Sequence, residues 1–158
     1  MRARIAIALL CGAAVLPASA DFKAGMEAYE RGDFETALAE WRPPAERGMA
    51  EAQYNLGLMH QHGKGVTADP ATAHGWYLKA AEGGYARAQY RVAEMFESGQ
   101  GVREDLIQAR LWFSAAGEQR YEDARKRRRK VANKMTQEQI AYADMLLRHR
   151  KRDRKTAD

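Results

Sequence analysis

The chain has 158 residues, with 26 Lys and Arg against 21 Asp and Glu for a net charge of +5, 46% hydrophobic and 9% aromatic residues, four prolines and one cysteine. This is the composition of one small globular domain, and it excludes a wholly disordered, collagen-like or proline-rich chain. A single cysteine also excludes an internal disulfide, a cysteine-rich zinc module and a CxxC redox site, each of which needs at least two thiols.

Residues 1–20 read as a secretory signal peptide. Arg2 and Arg4 give a positive start, Ile5 to Leu16 is an uncharged and mostly apolar run, and Ala18-Ser19-Ala20 supplies small residues for cleavage before Asp21. A membrane anchor is the rival reading, but a helix of that length spans roughly 18 Å against a hydrocarbon core of about 30 Å. A lipoprotein anchor through Cys11 is disfavoured by Leu10, which is bulkier than the small residue such processing needs. Cleavage after Ala20 removes Cys11, so the mature chain has no thiol in a compartment that allows disulfides, and its stability rests on packing.

From Asp21 the chain reads as helices. In residues 21–49, Gly25, Ala28, Tyr29, Gly32, Asp33, Ala37 and Trp41 form a short helical hairpin with a tight Gly32-Asp33 turn. Trp41 and Ala45 have the spacing of Trp76 and Ala80 further on, and Pro43-Pro44 should kink or restart the helix because both lack a donor N–H. In residues 50–85, Ala52, Tyr54, Leu56 and Met59 recur at helical spacing, and the helix should end near Gln61, before Gly63 and Gly65. Asp69-Pro70 starts the next helix: the carboxylate caps orphan N–H groups, and proline at the first position gives up an N–H that had no partner. This second helix carries Ala73, Trp76, Tyr77 and Ala80 toward the first and stops at Gly83-Gly84.

Residues 86–121 repeat that unit. Laid on 50–85 without a gap they give fourteen identities in thirty-six positions, including Gln53 and Gln89, Gly65 and Gly101, Asp69 and Asp105, and Trp76 and Trp112. A hairpin of this size cannot bury both apolar faces alone, so it must stack on neighbours. Residues 122–150 supply the far cap: a helix from Tyr121 to Lys134, then a Thr136/Gln139 capping box before a helix carrying Ile140, Ala143, Leu146 and Leu147. The charged tail, residues 151–158, is expected to fray together with the turn beyond Arg148.

Ala52-Gln53-Tyr54-Asn55-Leu56-Gly57, the loop Gly63-Lys64-Gly65-Val66 with Asp69, and the run from Ala73 through Trp76-Tyr77 to Lys79-Ala80-Ala81 resemble the Sel1-like repeat, a relative of the tetratricopeptide repeat. The resemblance covers residues 50–121 closely, with a tetratricopeptide-like half-unit before it. Ala93 and Glu94 depart from Gly57 and Leu58, which implies looser helix packing in the second repeat. The resemblance implies an all-α fold, a right-handed α-α superhelix or solenoid whose concave side binds proteins or peptides, and an adaptor in place of an enzyme. Fold alone does not carry function, so the residues are weighed separately.

Gly63-Lys64-Gly65 follows a helix, lacks GxxxxGK[ST] spacing, and its copy has Gln100 for the lysine, so it reads as a repeat turn and not a phosphate loop. His60 and His62 diverge by about 200° around a helix, and with His74 they read as surface or groove histidines. No GxSxG, HExxH or nucleophilic cysteine is present in the mature chain, and neither a cofactor nor a metal is expected. The rival enzymatic reading, an envelope protein acting on cell-wall or beta-lactam-like substrates, leans on disulfide-stapled relatives that this chain does not resemble in its cysteines.

Charge is uneven: residues 21–120 carry 11 basic and 15 acidic side chains, residues 121–158 carry 13 and 6. The unbroken run Arg125, Lys126, Arg127, Arg128, Arg129, Lys130 reads as a solvated cap on the last repeat or as a docking site for an anionic envelope surface. Nucleic acid is not the expected partner, because the aromatics lie in the repeat cores and not among the arginines. The leading expectation is an exported, periplasmic or secreted monomer that binds a protein or peptide through Glu51, Asn55, Arg87 and Arg91 on the inner faces of the first helices.

Overall fold

The computed structural model describes residues 18–121 and 123–157, and among them every regular element is a helix. α1 (Ala18–Glu30), α2 (Phe34–Glu46), α3 (Ala50–His62), α4 (Pro70–Glu82), α5 (Ala86–Ser98) and α6 (Leu106–Glu118) each have 13 residues, followed by α7 (Ala124–Ala132) and α8 (Gln137–Ala157). Most of the expected leader lies outside the described residues, and α1 begins at Ala18. The helices pair as antiparallel hairpins, α1 with α2, α3 with α4 and α5 with α6, and each hairpin stacks on the next in a superhelical solenoid.

The even helices start on aspartates spaced 36 residues apart: Asp33 accepts from Thr36 N at 3.2 Å, Asp69 from Ala71 N at 3.0 Å and Thr72 N at 3.2 Å, and Asp105 from Gln108 N at 3.0 Å. α3 and α5 end on glycines in the left-handed region, Gly63 (φ 66°) and Gly99 (φ 69°), whose N–H groups return to Met59 O and Met95 O. The second loop glycine does more than turn. A Cβ on Gly65 would lie 2.8 Å from the Phe34 carbonyl, and one on Gly101 would lie 2.2 Å from Pro70 O. Each loop therefore sits on the first residue of the preceding even helix, a contact open only to glycine.

Within each hairpin a small residue on the odd helix meets a large ring on the even one. A Cβ on Gly25 would be 2.4 Å from the Trp41 indole, one on Gly57 would be 2.5 Å from the Tyr77 ring, and Ala93 faces Phe113 in one buried cluster. Trp41 is therefore the counterpart of Tyr77 and Phe113, eight residues after the aspartate cap in each case, and not of Trp76 as its spacing to Ala45 suggested. Nor do Trp76 and Tyr77 share a role. Tyr77 is fully buried inside its own hairpin, whereas Trp76 packs back onto the preceding core with Leu56 and Met59, as Trp112 packs back onto that of Val92 and Met95. Burying one such ring contributes on the order of 2 kcal/mol. Ala93 and Phe113 are both fully buried, so the second repeat is packed as closely as the first.

A side-chain amide bridges each junction: Gln53 Nε2 donates to Ala45 O at 2.9 Å and Gln89 Nε2 to Ala81 O at 3.1 Å. Both glutamines are buried, so these bonds satisfy groups that would otherwise be costly.

Three local expectations change. α2 runs unbroken through Pro43 and Pro44 to Glu46: neither has an N–H to donate, but their carbonyls accept from Arg47 N (3.1 Å) and Met49 N (2.9 Å). α7 is shorter than Tyr121–Lys134, because Arg120 adopts φ 61° and Tyr121 N turns back to Ala116 O at 3.1 Å. α8 continues to Ala157 where fraying was expected. It has no Gly or Pro, and its Lys and Arg suit both helix propensity and the negative end of the helix dipole. The capping box is in place, with Thr136 N donating to Gln139 Oε1 at 2.9 Å and Gln139 N to Thr136 Oγ1 at 3.2 Å. α8 rests on α6, tied by Arg110 to Asp144 at 2.7 Å.

Candidate interaction surface

The odd helices form one wall, on which positions 36 residues apart in register line up: Asn55, Arg91 and Arg127, then Leu58, Glu94 and Lys130. Two clefts open on this wall. The first, about 100 Å³, is lined by Met26, Tyr29, Trp41 and Leu58 with the Asn55 amide at its rim. Asn55 Nδ2 has only a long 3.7 Å contact to Met26 Sδ, which leaves its polar end available. The second, about 280 Å³, is lined by Gln61, Tyr77, Arg91, Glu94, Ser98 and Arg127 among others.

The second cleft is built on a charge ladder. Arg91 pairs with Glu94 at 2.9 Å, Arg127 with Glu94 at 3.8 Å and with Glu97 at 2.8 Å, and Lys134 with Glu97 at 2.7 Å. Burial works against the Arg91 charge, but its bond to the Tyr54 hydroxyl and the Glu94 carboxylate outweigh it and push its pKa up. Burial raises the pKa of the Tyr77 phenol, whose hydroxyl donates to Gln61 Oε1 at 2.6 Å, so it stays neutral at physiological pH. The His60 pKa is lowered, chiefly by burial, with Asp69 opposing. His74 is lowered by burial too, and packs edge-on to Phe96 at 5.2 Å. Lys64, the lysine of the glycine loop, bonds the Tyr29 hydroxyl and lies 4.5 Å from that ring and 5.1 Å from Phe34, inside the repeat stack. Among the described residues no three metal-ligating side chains converge, and no helix is long and apolar enough to cross a membrane.

Of the four groove residues expected from the sequence, Asn55 and Arg91 line the clefts. Glu51 and Arg87 are exposed one turn earlier, where both flank Tyr85, and line neither. Arg91 is also less free than its polar position suggested: Arg91→Glu would set a carboxylate against Glu94, so stability would fall with it. Met26, Leu58, Gln61, Glu94 and Arg127 line the clefts as well, and of these the 36-residue register points only to Arg127. In the basic run Arg127 is tied to the ladder, Arg125, Arg128 and Arg129 line a cleft against α6, and Lys126 and Lys130 are exposed outside it.

The Sel1 repeat family model matches residues 50–85 and 86–121, the same two segments that the hairpins define. The chain carries two Sel1 repeats. Among solved structures it resembles a protective antigen of uropathogenic Escherichia coli strains displaying an SLR fold, with a TM-score of 0.76 and 31% identity over 82% of this chain and 29% of that one. It also resembles a Sel1 repeat protein from Oxalobacter formigenes, with a TM-score of 0.65 and 31% identity over 68% of this chain and 44% of that one. Curated relatives include chitin synthase regulatory factor 3 of Schizosaccharomyces pombe, 41% identical over 69 residues, and DAP3-binding cell death enhancer 1 of Rattus norvegicus, 39% identical over 49 residues. These matches take in 44% and 31% of this chain but only 7% and 10% of those proteins. Sel1-repeat proteins are generally adaptors in protein interaction, and the fold is typically a non-catalytic scaffold.

Proposed function

We infer that this Sel1-repeat chain is an exported, non-catalytic adaptor that holds a segment of a partner protein along its odd-helix wall. The observation that carries the reading is the pair of clefts on consecutive repeats, one apolar with a free amide at its rim and one polar and charged. Together they suit an extended segment that seats one apolar side chain between Met26, Trp41 and Leu58, offers a backbone group to Asn55 and continues with polar residues past Arg91. The relatives named for regulating or binding another protein support a role in recognition. Export rests on the leader-like residues 1–20 and is tested by sequencing the N terminus of the purified cellular protein: a start at Asp21 is expected, and a retained Met1 contradicts it.

The wall itself is tested by photo-crosslinking in intact cells, with the reactive residue placed at Asn55 or at Lys79, an exposed position on α4. Discrete adducts from position 55 and none from position 79 are expected. Adducts from 79 alone would move the binding surface to the even helices.

A further inference from the structure

The third junction keeps the geometry of the first two but changes the chemistry. Thirty-six residues beyond Gln89 stands Arg125, whose Nε donates to the Gly117 carbonyl at 3.3 Å, as the glutamines donate to Ala45 and Ala81. The same step carries buried Leu56 and Val92 to Arg128, and tightly packed Gly57 and Ala93 to Arg129. Counted from the helix caps, Ala143 on α8 stands where Trp76 and Trp112 stand, so the indole that packs back onto each earlier core is replaced by a methyl.

The α6–α7 seam accordingly holds an open cleft of about 350 Å³. Phe113, Ser114 and Gly117 line it from α6, Arg125, Arg128 and Arg129 from α7, and Glu118 is the one carboxylate among its described lining residues. The three arginines fall at i, i+3 and i+4, on one face, where like charges repel one another and an anion relieves the repulsion. The rest of the basic run is directed elsewhere: Arg127 pairs with Glu94 and Glu97, and Lys126 and Lys130 do not line the cleft. Guanidinium forks match the oxygens of a phosphate better than ammonium groups do, and the bond from Arg125 to Gly117 holds one fork in place.

We propose that the α6–α7 cleft is a binding site for a phosphate-monoester group, held by Arg125, Arg128 and Arg129. The ligand is a soluble phosphate monoester or the headgroup of phosphatidic acid. The site is independent of the odd-helix wall and stands or falls apart from the adaptor reading.

The test is titration of the full chain with inorganic phosphate at fixed ionic strength, followed by calorimetry and thermal melting. Saturable one-to-one binding is expected. The double variant R128A/R129A should weaken it by tenfold or more, because charge-assisted hydrogen bonds to the phosphate are lost. The charge-matched control K126A/K130A should stay within about twofold, and R128K/R129K, which keeps the charge but loses the forks, should lie between. Circular dichroism of each variant checks that it folds, and the lysine pair serves if the alanine pair does not. Non-saturating binding, or equal losses in the two alanine pairs, would overturn the site in favour of a diffuse basic surface. Vesicles of phosphatidylcholine with or without phosphatidic acid then assign the source: sedimentation with phosphatidic acid that free phosphate reverses points to the headgroup, and no sedimentation points to a soluble ester.

Discussion

The seam between α4 and α5 and the seam between α6 and α7 begin from equivalent carbonyls, Ala81 and Gly117, and diverge from there. At the first, Gln89 and Val92 are buried and Trp112 packs back onto the core they belong to. At the second, Arg125 and Arg128 take those places, Ala143 stands in for the indole, and the seam stays open. The difference teaches that a solenoid end is not a truncated repeat. Once the next even helix has no large ring to insert, the odd-helix positions facing it are released from the core and become free to carry charge. A cap must be soluble, but solubility alone does not require three arginines on one cleft.

The largest effects should come from the glycine loops that lock one repeat onto the next. Gly101→Ala combines a φ of 72° with a Cβ 2.2 Å from Pro70 O, and should cost on the order of 3 kcal/mol in urea denaturation. Gly84→Ala is the control, with a φ of 88° but nothing within 4 Å of its Cβ, and should cost only about 1 kcal/mol. Equal losses would mean that backbone conformation, and not the contact with α4, is what these loops contribute.

Next is the attachment of the terminal unit. The Glu97 side chain is 9% exposed and grips both Arg127 and Lys134, so Glu97→Ala should destabilise by about 2 kcal/mol with little relief from salt. A change below about 0.5 kcal/mol would assign the docking of α7 to its apolar contacts through Ala124 and Val131 alone.

Smaller still, and opposite in sign, is the turn into α7. Gly48 and Gly84 take φ 95° and 88° at the earlier turns, whereas the third uses Arg120 at 61°. Arg120→Gly should therefore raise stability by up to about 1 kcal/mol, read as a higher melting temperature. A loss would show that the Arg120 side chain contributes more than its backbone strain costs.

The smallest expected effect is a pH dependence at the caps. Hydrogen bonds from Thr36 and Thr72 hold the Asp33 and Asp69 carboxyls below the ordinary value of 3.8. Their contribution is complete above the unfolded pKa and fades as pH falls through the lower folded one. Asp69→Asn keeps an acceptor but cannot titrate, so its acid unfolding should be flatter below that value. An unchanged acid limb would remove Asp69 from the titration.

The repeat, its boundaries and its caps were legible because they rest on local rules: Asp33, Asp69 and Asp105 start helices, and Gly63 and Gly99 end them, whatever lies alongside. Trp41 was misaligned because its four-residue spacing to Ala45 matches that of Trp76 to Ala80 and of Tyr77 to Ala81 equally well. The distance from the aspartate cap decides between them, eight residues for Trp41 as for Tyr77, and the approach of Gly25 to the indole agrees. A helix pattern marks Asn55 and Arg91 as polar positions on a buried helix, but it does not say which turn opens onto a cleft, so it does not separate them from Glu51 and Arg87. The clefts themselves depend on Met26 from α1 and Arg127 from α7, side chains brought close only by stacking.

The most direct test of the odd-helix wall is the affinity of the crosslinked partner, once recovered, for two single variants measured side by side. Leu58→Arg, which puts a charge in the apolar cleft, should raise Kd by tenfold or more, while Lys79→Glu on the even layer should leave it within about twofold. Tight binding by the first variant together with weakened binding by the second would contradict the account.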